Sequence, residues 1–141
     1  MKKIIFLNQN NHEVMSFNNF VFDDINNIPE FYTACFSFVI SRVKIEKKVG
    51  GSENDFFILG NKLKQLLNEE MKKFYLFISM DESFQIIFEV KEPEIILVLL
   101  EIEDHFSRGD LAFKYEYEMG KEQADLLIAQ VEDLYKERTR L

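Results

Sequence analysis

Tryptophan is absent from the 141 residues, proline occurs twice and cysteine once, and each scarcity excludes something. A single cysteine, Cys35, cannot close an intramolecular disulfide, which fits a reducing compartment and leads us to expect a cytoplasmic protein. No hydrophobic run is long. The longest, from Ile95 to Leu100, falls far short of the roughly 20 residues a helix needs to cross a bilayer. The Ile4-Ile5-Phe6-Leu7 run behind Met1-Lys2-Lys3 ends at Asn8, too soon for a secretory h-region, and is expected to be a strand.

Positive charge is also short. Lys and Arg number 17 against 25 Asp and Glu, a net charge of −8. Such a surface repels phosphate backbones and anionic lipid headgroups, so neither nucleic acid nor membrane is expected as a partner. The same charge favours encounters with basic proteins.

Aromatic residues are plentiful: 15 Phe and 5 Tyr, types that suit a half-buried pleated surface. With 47% hydrophobic and 30% charged residues, the chain has a globular balance, and its length suits one domain over 1–141. The core is expected to be rich in phenylalanine.

A second strand is expected around Val14 to Phe22, followed by a loop through Asp23, Asp24 and Pro29. Phe36, Phe38 and Ile40 alternate on one face while Val43 and Ile45 continue on the other parity, which a bulge near Ser41 and Arg42 would reconcile. Ser52 stands three residues before Asp55, near a capping box, and predicts a helix over 55–71. Its apolar face holds Phe56, Leu59, Leu63, Leu66 and Leu67. Strands over 74–80, 84–90 and 95–103 follow, joined by Asp81-Glu82-Ser83 and Lys91-Glu92-Pro93-Glu94, links so short that neighbours must be antiparallel. Beyond a polar loop containing Arg108 and Gly109, Leu111, Phe113, Tyr115, Tyr117 and Met119 are expected to point inward and Lys114, Glu116 and Glu118 outward. A closing helix carries Ala124, Leu127, Ile128, Val131, Leu134 and Tyr135. The expected fold class is α+β: a twisted antiparallel sheet with two amphipathic helices packed on one face, and Phe113, Tyr115, Leu127 and Val131 buried.

Candidate chemistry is sparse. Glu101, Glu103 and His105 share one face of an extended strand and could offer two oxygens and a nitrogen to a divalent ion, which defines a metal-dependent enzyme as one alternative. The simpler reading is a strand whose solvent face turns charged, so no metal, cofactor or catalytic set is assigned and the chain is read as a non-enzyme. His12 sits in an Asn-rich turn as a surface residue. Cys35, flanked by Ala34, Phe36, Ser37 and Phe38, lacks an activating neighbour and is expected to be a buried thiol. Asp23-Asp24, Glu69-Glu70 and Asp81-Glu82 read as solvated turns. Gly50-Gly51-Ser52 and Gly60-Asn61-Lys62 lack the spacing of a phosphate-binding loop. Without surrounding basic charge the aromatics do not form a nucleic-acid stacking platform and are assigned to the core.

One feature hints at a surface. Ile96, Val98, Leu100 and Ile102 supply an inward face, yet Ile95, Leu97 and Leu99 on the opposite face are apolar too. The N-terminal strands are expected to cover them. The alternatives are an apolar patch with an acidic surround, which would mark a protein interface, or burial against a second copy in a homodimer.

The segment Phe36-Ser37-Phe38-Val39-Ile40, the helix beyond Asp55, and above all Leu111-Ala112-Phe113-Lys114-Tyr115-Glu116-Tyr117-Glu118 followed by Ala124-Asp125-Leu126-Leu127-Ile128-Ala129-Gln130-Val131-Glu132 carry a family likeness. In its order of elements and this aromatic-acidic strand before a closing helix, the chain resembles the immunity proteins of the WapI type, small intracellular partners of contact-dependent bacterial toxins. The family's early Trp has no counterpart, and Gly120-Lys121-Glu122-Gln123 stands where the family tends to have an Asp-Gln pair. The family has no universal active-site motif, so no functional residue carries over by position. The resemblance implies a class of activity: binding and blocking a toxin domain. Joined to the charge, it implies a basic protein partner that meets Glu89, Glu101, Glu103, Asp104, Glu116 and Glu118.

Overall fold

A computed structural model describes residues 3–25, 28–78, 83–104 and 111–139. The elements run β1 (Ile4–Leu7), β2 (Glu13–Ile25), β3 (Ile28–Ile40), β4 (Val43–Ser52), α1 (Asn54–Leu67), β5 (Lys73–Phe77), β6 (Phe84–Glu92), β7 (Ile95–Asp104), β8 (Leu111–Gly120) and α2 (Lys121–Thr139). The class is α+β with antiparallel strands, as expected. The strands divide between two four-stranded sheets, in the orders β1-β2-β3-β4 and β5-β6-β7-β8, with α1 lying between them in the chain. Each sheet is a meander because every link within it is too short for a crossover.

Two expected irregularities prove to be hairpins. The bulge expected at Ser41 and Arg42 is a turn: Ile40 pairs with Val43 across it and Ser41 takes φ 55°, the left-handed backbone such a tight link needs. A two-residue turn accounts for the change of parity there. The loop expected through Asp23, Asp24 and Pro29 is replaced by paired backbone, since Asp24 stands opposite Pro29 and Ile25 opposite Ile28. The extra length comes with a bulge at Asn19, φ 55°, between Asn18 and Val21.

The long β2 and β3 give the first sheet an inner face with two tenants. Near one end, Phe56 of α1 packs between Phe17, Phe20 and Tyr32, with ring centroids 5.1–5.4 Å apart. Near the other, Phe36 meets Phe84 at 4.7 Å, and Phe38 meets Phe113 and Tyr115 at 5.1 Å. The core is therefore a run of tilted and edge-on rings joining both sheets and α1. Leu127 and Val131 of α2 are buried as expected, whereas Phe113 and Tyr115 are only half-buried because β8 is an edge strand. Leu111, expected inward, is exposed at the start of that strand.

The helices cross where Gly60 of α1 faces Val131; a Cβ at Gly60 would stand 3.3 Å from the valine Cγ1. The cap falls one residue later than expected, and the Ser52 hydroxyl accepts a hydrogen bond from the Asn54 N–H at 3.4 Å. Glu53 is the N-cap without a side-chain cap bond, and Asp55 instead accepts a hydrogen bond from the Tyr32 hydroxyl at 3.1 Å, both groups being buried. Burial and the nearby Asp55 carboxylate raise the Tyr32 hydroxyl far above its usual range. Helix α1 ends at Leu67, four residues before the expected limit, and there Glu69 takes φ 60°, with Glu69 N–H bonded to the Leu66 carbonyl and Glu70 N–H to that of Gln65. That is the Schellman pattern of helix termination.

Candidate functional site

Alternation decides which side chains of the second sheet face the core. Phe74, Leu76, Phe84, Ile86, Phe88, Ile96, Val98, Leu100, Ile102, Tyr117 and Met119 point inward and are buried. Their neighbours must point outward. The strand pairings then set those outward residues in rows: Lys73, Glu89, Leu97 and Glu118; Tyr75, Ile87, Leu99 and Glu116; Phe77, Gln85, Glu101 and Lys114. The middle of this face is apolar and its border is charged.

The first sheet covers the inner face, not this one. The expectation that N-terminal strands shelter Ile95, Leu97 and Leu99 is therefore corrected: β1 to β4 are drawn to the opposite side by Phe6, Phe17, Phe36 and Phe38, whose rings meet Phe88, Phe84, Phe113 and Tyr115. Ile87, Ile95, Leu97 and Leu99 remain half-exposed, and Tyr75 and Phe77 are 47% and 58% exposed. These two aromatics correct the assignment of all aromatics to the core, as do exposed Phe31 and Phe57. On β5 both faces are apolar, so periodicity could not say which rings would be left outside.

Of the carboxylates singled out in the sequence, Glu89, Glu101, Glu103, Glu116 and Glu118 lie on this outer face. Asp104 pairs with Leu111 through the backbone, and its side chain lies outside the described residues, as do His105, Asp81-Glu82 and the Arg108 and Gly109 loop. The cluster is not bare. Glu89 lies 3.9 Å from Lys73, Glu101 lies 3.6 Å from Lys114 and accepts a hydrogen bond from Gln85, and Glu118 pairs with Lys91 and accepts from Gln9. The Glu118 carboxylate in turn holds Lys91 above its ordinary range. Carboxylates still outnumber the ammonium groups on the face, and exposed pairs of this kind are weak enough to exchange with a partner's charges.

Among the described residues, no set of three His, Cys, Asp or Glu side chains is grouped to hold a metal ion. Glu101, one member of the candidate triad, is engaged with Gln85 and Lys114. Cys35 corrects another expectation: it is exposed, because Ala34, Phe36 and Phe38 take the inward positions and send it to the outer face of the first sheet, opposite Asn18 and Lys48. His12 is exposed in the Asn8 turn, as expected.

A second concavity, of about 300 Å³, lies between the helices and is lined by Phe57, Gly60, Lys64, Val131, Glu132 and Tyr135. The Tyr135 hydroxyl closes one end, accepting from the Phe57 N–H at 3.2 Å and donating to the Glu53 carbonyl, and burial pushes its pKa up to about 12. Lys64 and Glu132 pair across it at 2.7 Å. This is a helix-packing groove in which the Tyr135 hydroxyl, Lys64 and Glu132 are already engaged.

Among the described residues, no helix is long and apolar enough to cross a membrane. Compared with known proteins, the chain finds no significant match: no family model, no curated protein and no solved structure.

Proposed function

We propose that this protein is a non-catalytic binding module that engages a basic protein through the outer face of its second sheet, and that it acts in the cytoplasm as an immunity protein by occluding a toxin domain. The observation that carries the reading is the apolar row of exposed Tyr75 and half-buried Ile87 and Leu99, which none of the described elements covers, with Leu97 and Phe77 beside it and Glu89, Glu101, Glu116 and Glu118 around it. An apolar centre with a charged rim is the anatomy of a protein interface. The apolar side chains would hold the complex once water is expelled, and the acidic rim with the net charge of −8 would speed association with Lys and Arg on the partner. The toxin is suggested by the resemblance to immunity proteins of the WapI type.

The reading expects an adjacent reading frame encoding a secreted toxin. Co-expression of that toxin's C-terminal domain should be lethal alone and tolerated with this chain. Equal killing with and without the chain, or the absence of such a frame, would remove the toxin-inhibitor reading.

A further inference from the structure

Two sheets have four edges, and a free edge is a template for another strand unless something blunts it. Three of the four are managed. On β1, the Ile5 N–H and carbonyl are both bonded by the Gln130 side chain. On β8, the Glu118 carbonyl accepts from Gln9 N–H, the Gly120 N–H is held by Gln123, and Lys114, Glu116 and Glu118 charge the strand. On β4, Lys44, Glu46, Lys47 and Lys48 supply charge. Among the described residues the fourth edge, β5, has neither device along its middle, where Phe74-Tyr75-Leu76-Phe77 runs.

The register states which backbone groups of β5 are free to pair. The Val90 N–H bonds the Lys72 carbonyl at 2.8 Å, and the pairing continues with Phe74 opposite Phe88 and Leu76 opposite Ile86. In an antiparallel ladder hydrogen-bonded pairs alternate with non-bonded ones, so Lys73, Tyr75 and Phe77 aim their N–H and carbonyl groups away from β6. Among the described residues those groups have no backbone partner.

We infer that β5 pairs with β5 of a second copy, antiparallel about a two-fold axis at Tyr75. This goes beyond the outer-face reading and does not depend on it. A sequence centred on Tyr75 is self-complementary in this arrangement: Tyr75 stands opposite its copy, and Lys73 stands opposite Phe77 of the other chain on the same face. Lys73 already lies 5.4 Å from the centroid of the Tyr75 ring, so it is placed for a cation-π contact with aromatics across the axis. The row of Glu116, Leu99, Ile87 and Tyr75 then continues through the axis into the same row of the second copy, making one eight-stranded sheet. A five-residue edge is a small interface, so the dimer is weak and depends on concentration.

The test uses the full chain. Sedimentation equilibrium over rising concentration should show the weight-average mass climbing from 16.8 kDa toward twice that value. Tyr75→Pro should hold it at the monomer, since it deletes an N–H that the chain's own ladder does not use. The register is read by cross-linking in a Cys35→Ser background: Tyr75→Cys should form a symmetric disulfide under mild oxidation, because its copies stand within bonding reach, while Lys73→Cys alone should not. Lys73→Cys together with Phe77→Cys should restore it. A constant mass of one chain at every concentration, or equal cross-linking by Lys73→Cys and Tyr75→Cys, would overturn the proposal.

Discussion

Gln130 hydrogen-bonds both backbone groups of Ile5, its side-chain carbonyl accepting the N–H at 2.8 Å and its amide donating to the carbonyl at 3.1 Å. A helix side chain thereby takes the place of the strand that β1 lacks on its outer side. Gln130→Leu would leave both Ile5 groups half-buried and unpartnered. We expect a loss of about 1–3 kcal/mol in urea unfolding, with the slope of the transition unchanged.

The end of α1 holds a glutamate in a conformation that suits glycine. Glu69 has φ 60° at the position where a Schellman motif most often has Gly. Glu69→Gly should therefore stabilise the fold, by about 0.5–1 kcal/mol, because relief of the left-handed strain exceeds the added freedom of the unfolded chain. A raised thermal midpoint would show it; a lowered one would argue against this description of the cap.

Alkaline pH should unfold the protein through its buried phenols. Burial raises the Tyr32 and Tyr117 hydroxyls well above their usual range and Tyr135 to about 12, with Asp55 adding to the effect on Tyr32. In the unfolded chain tyrosine ionises near pH 10, so the stability these groups contribute is complete below about pH 10. It declines above about pH 10, where only the unfolded chain ionises, and is fully lost once the pH passes the folded values, first for Tyr135 near 12. Urea midpoints measured across this window should fall, and Tyr135→Phe should flatten the first part of the decline.

Much of this architecture was legible where one physical signal dominated. Phe56, Leu59, Leu63 and Leu66 announced the face of α1, and Lys114, Glu116 and Glu118 announced the outer face of β8. The link at Ser41 was misjudged because a parity change fits a bulge and a two-residue turn equally well, and the stretch from Asp23 to Pro29 because its polar residues and proline read as a loop where pairing extends both strands. That the strands form two sheets was also hidden, since antiparallel links fix neighbours without saying where one sheet stops. At the candidate site the acidic residues were legible from alternation, whereas Tyr75 and Phe77 were not, because Phe74-Tyr75-Leu76-Phe77 is apolar on both parities. Cys35 was misjudged for a related reason: apolar neighbours in sequence are not neighbours in space on a strand.

The outer face of the second sheet is tested most directly by equilibrium titration of the purified chain with the toxin domain that the proposed function expects in an adjacent reading frame, run in parallel with Leu97→Lys and Leu99→Lys. Each substitution sets a positive charge in the apolar centre, Leu97 between Glu89 and Glu118 and Leu99 between Ile87 and Glu116, without touching the core. We predict saturable binding by the native chain, stronger at low salt, and at least about tenfold weaker binding by each variant, near 1.4 kcal/mol. Binding of equal strength by the native chain and both variants would contradict the assignment of this face.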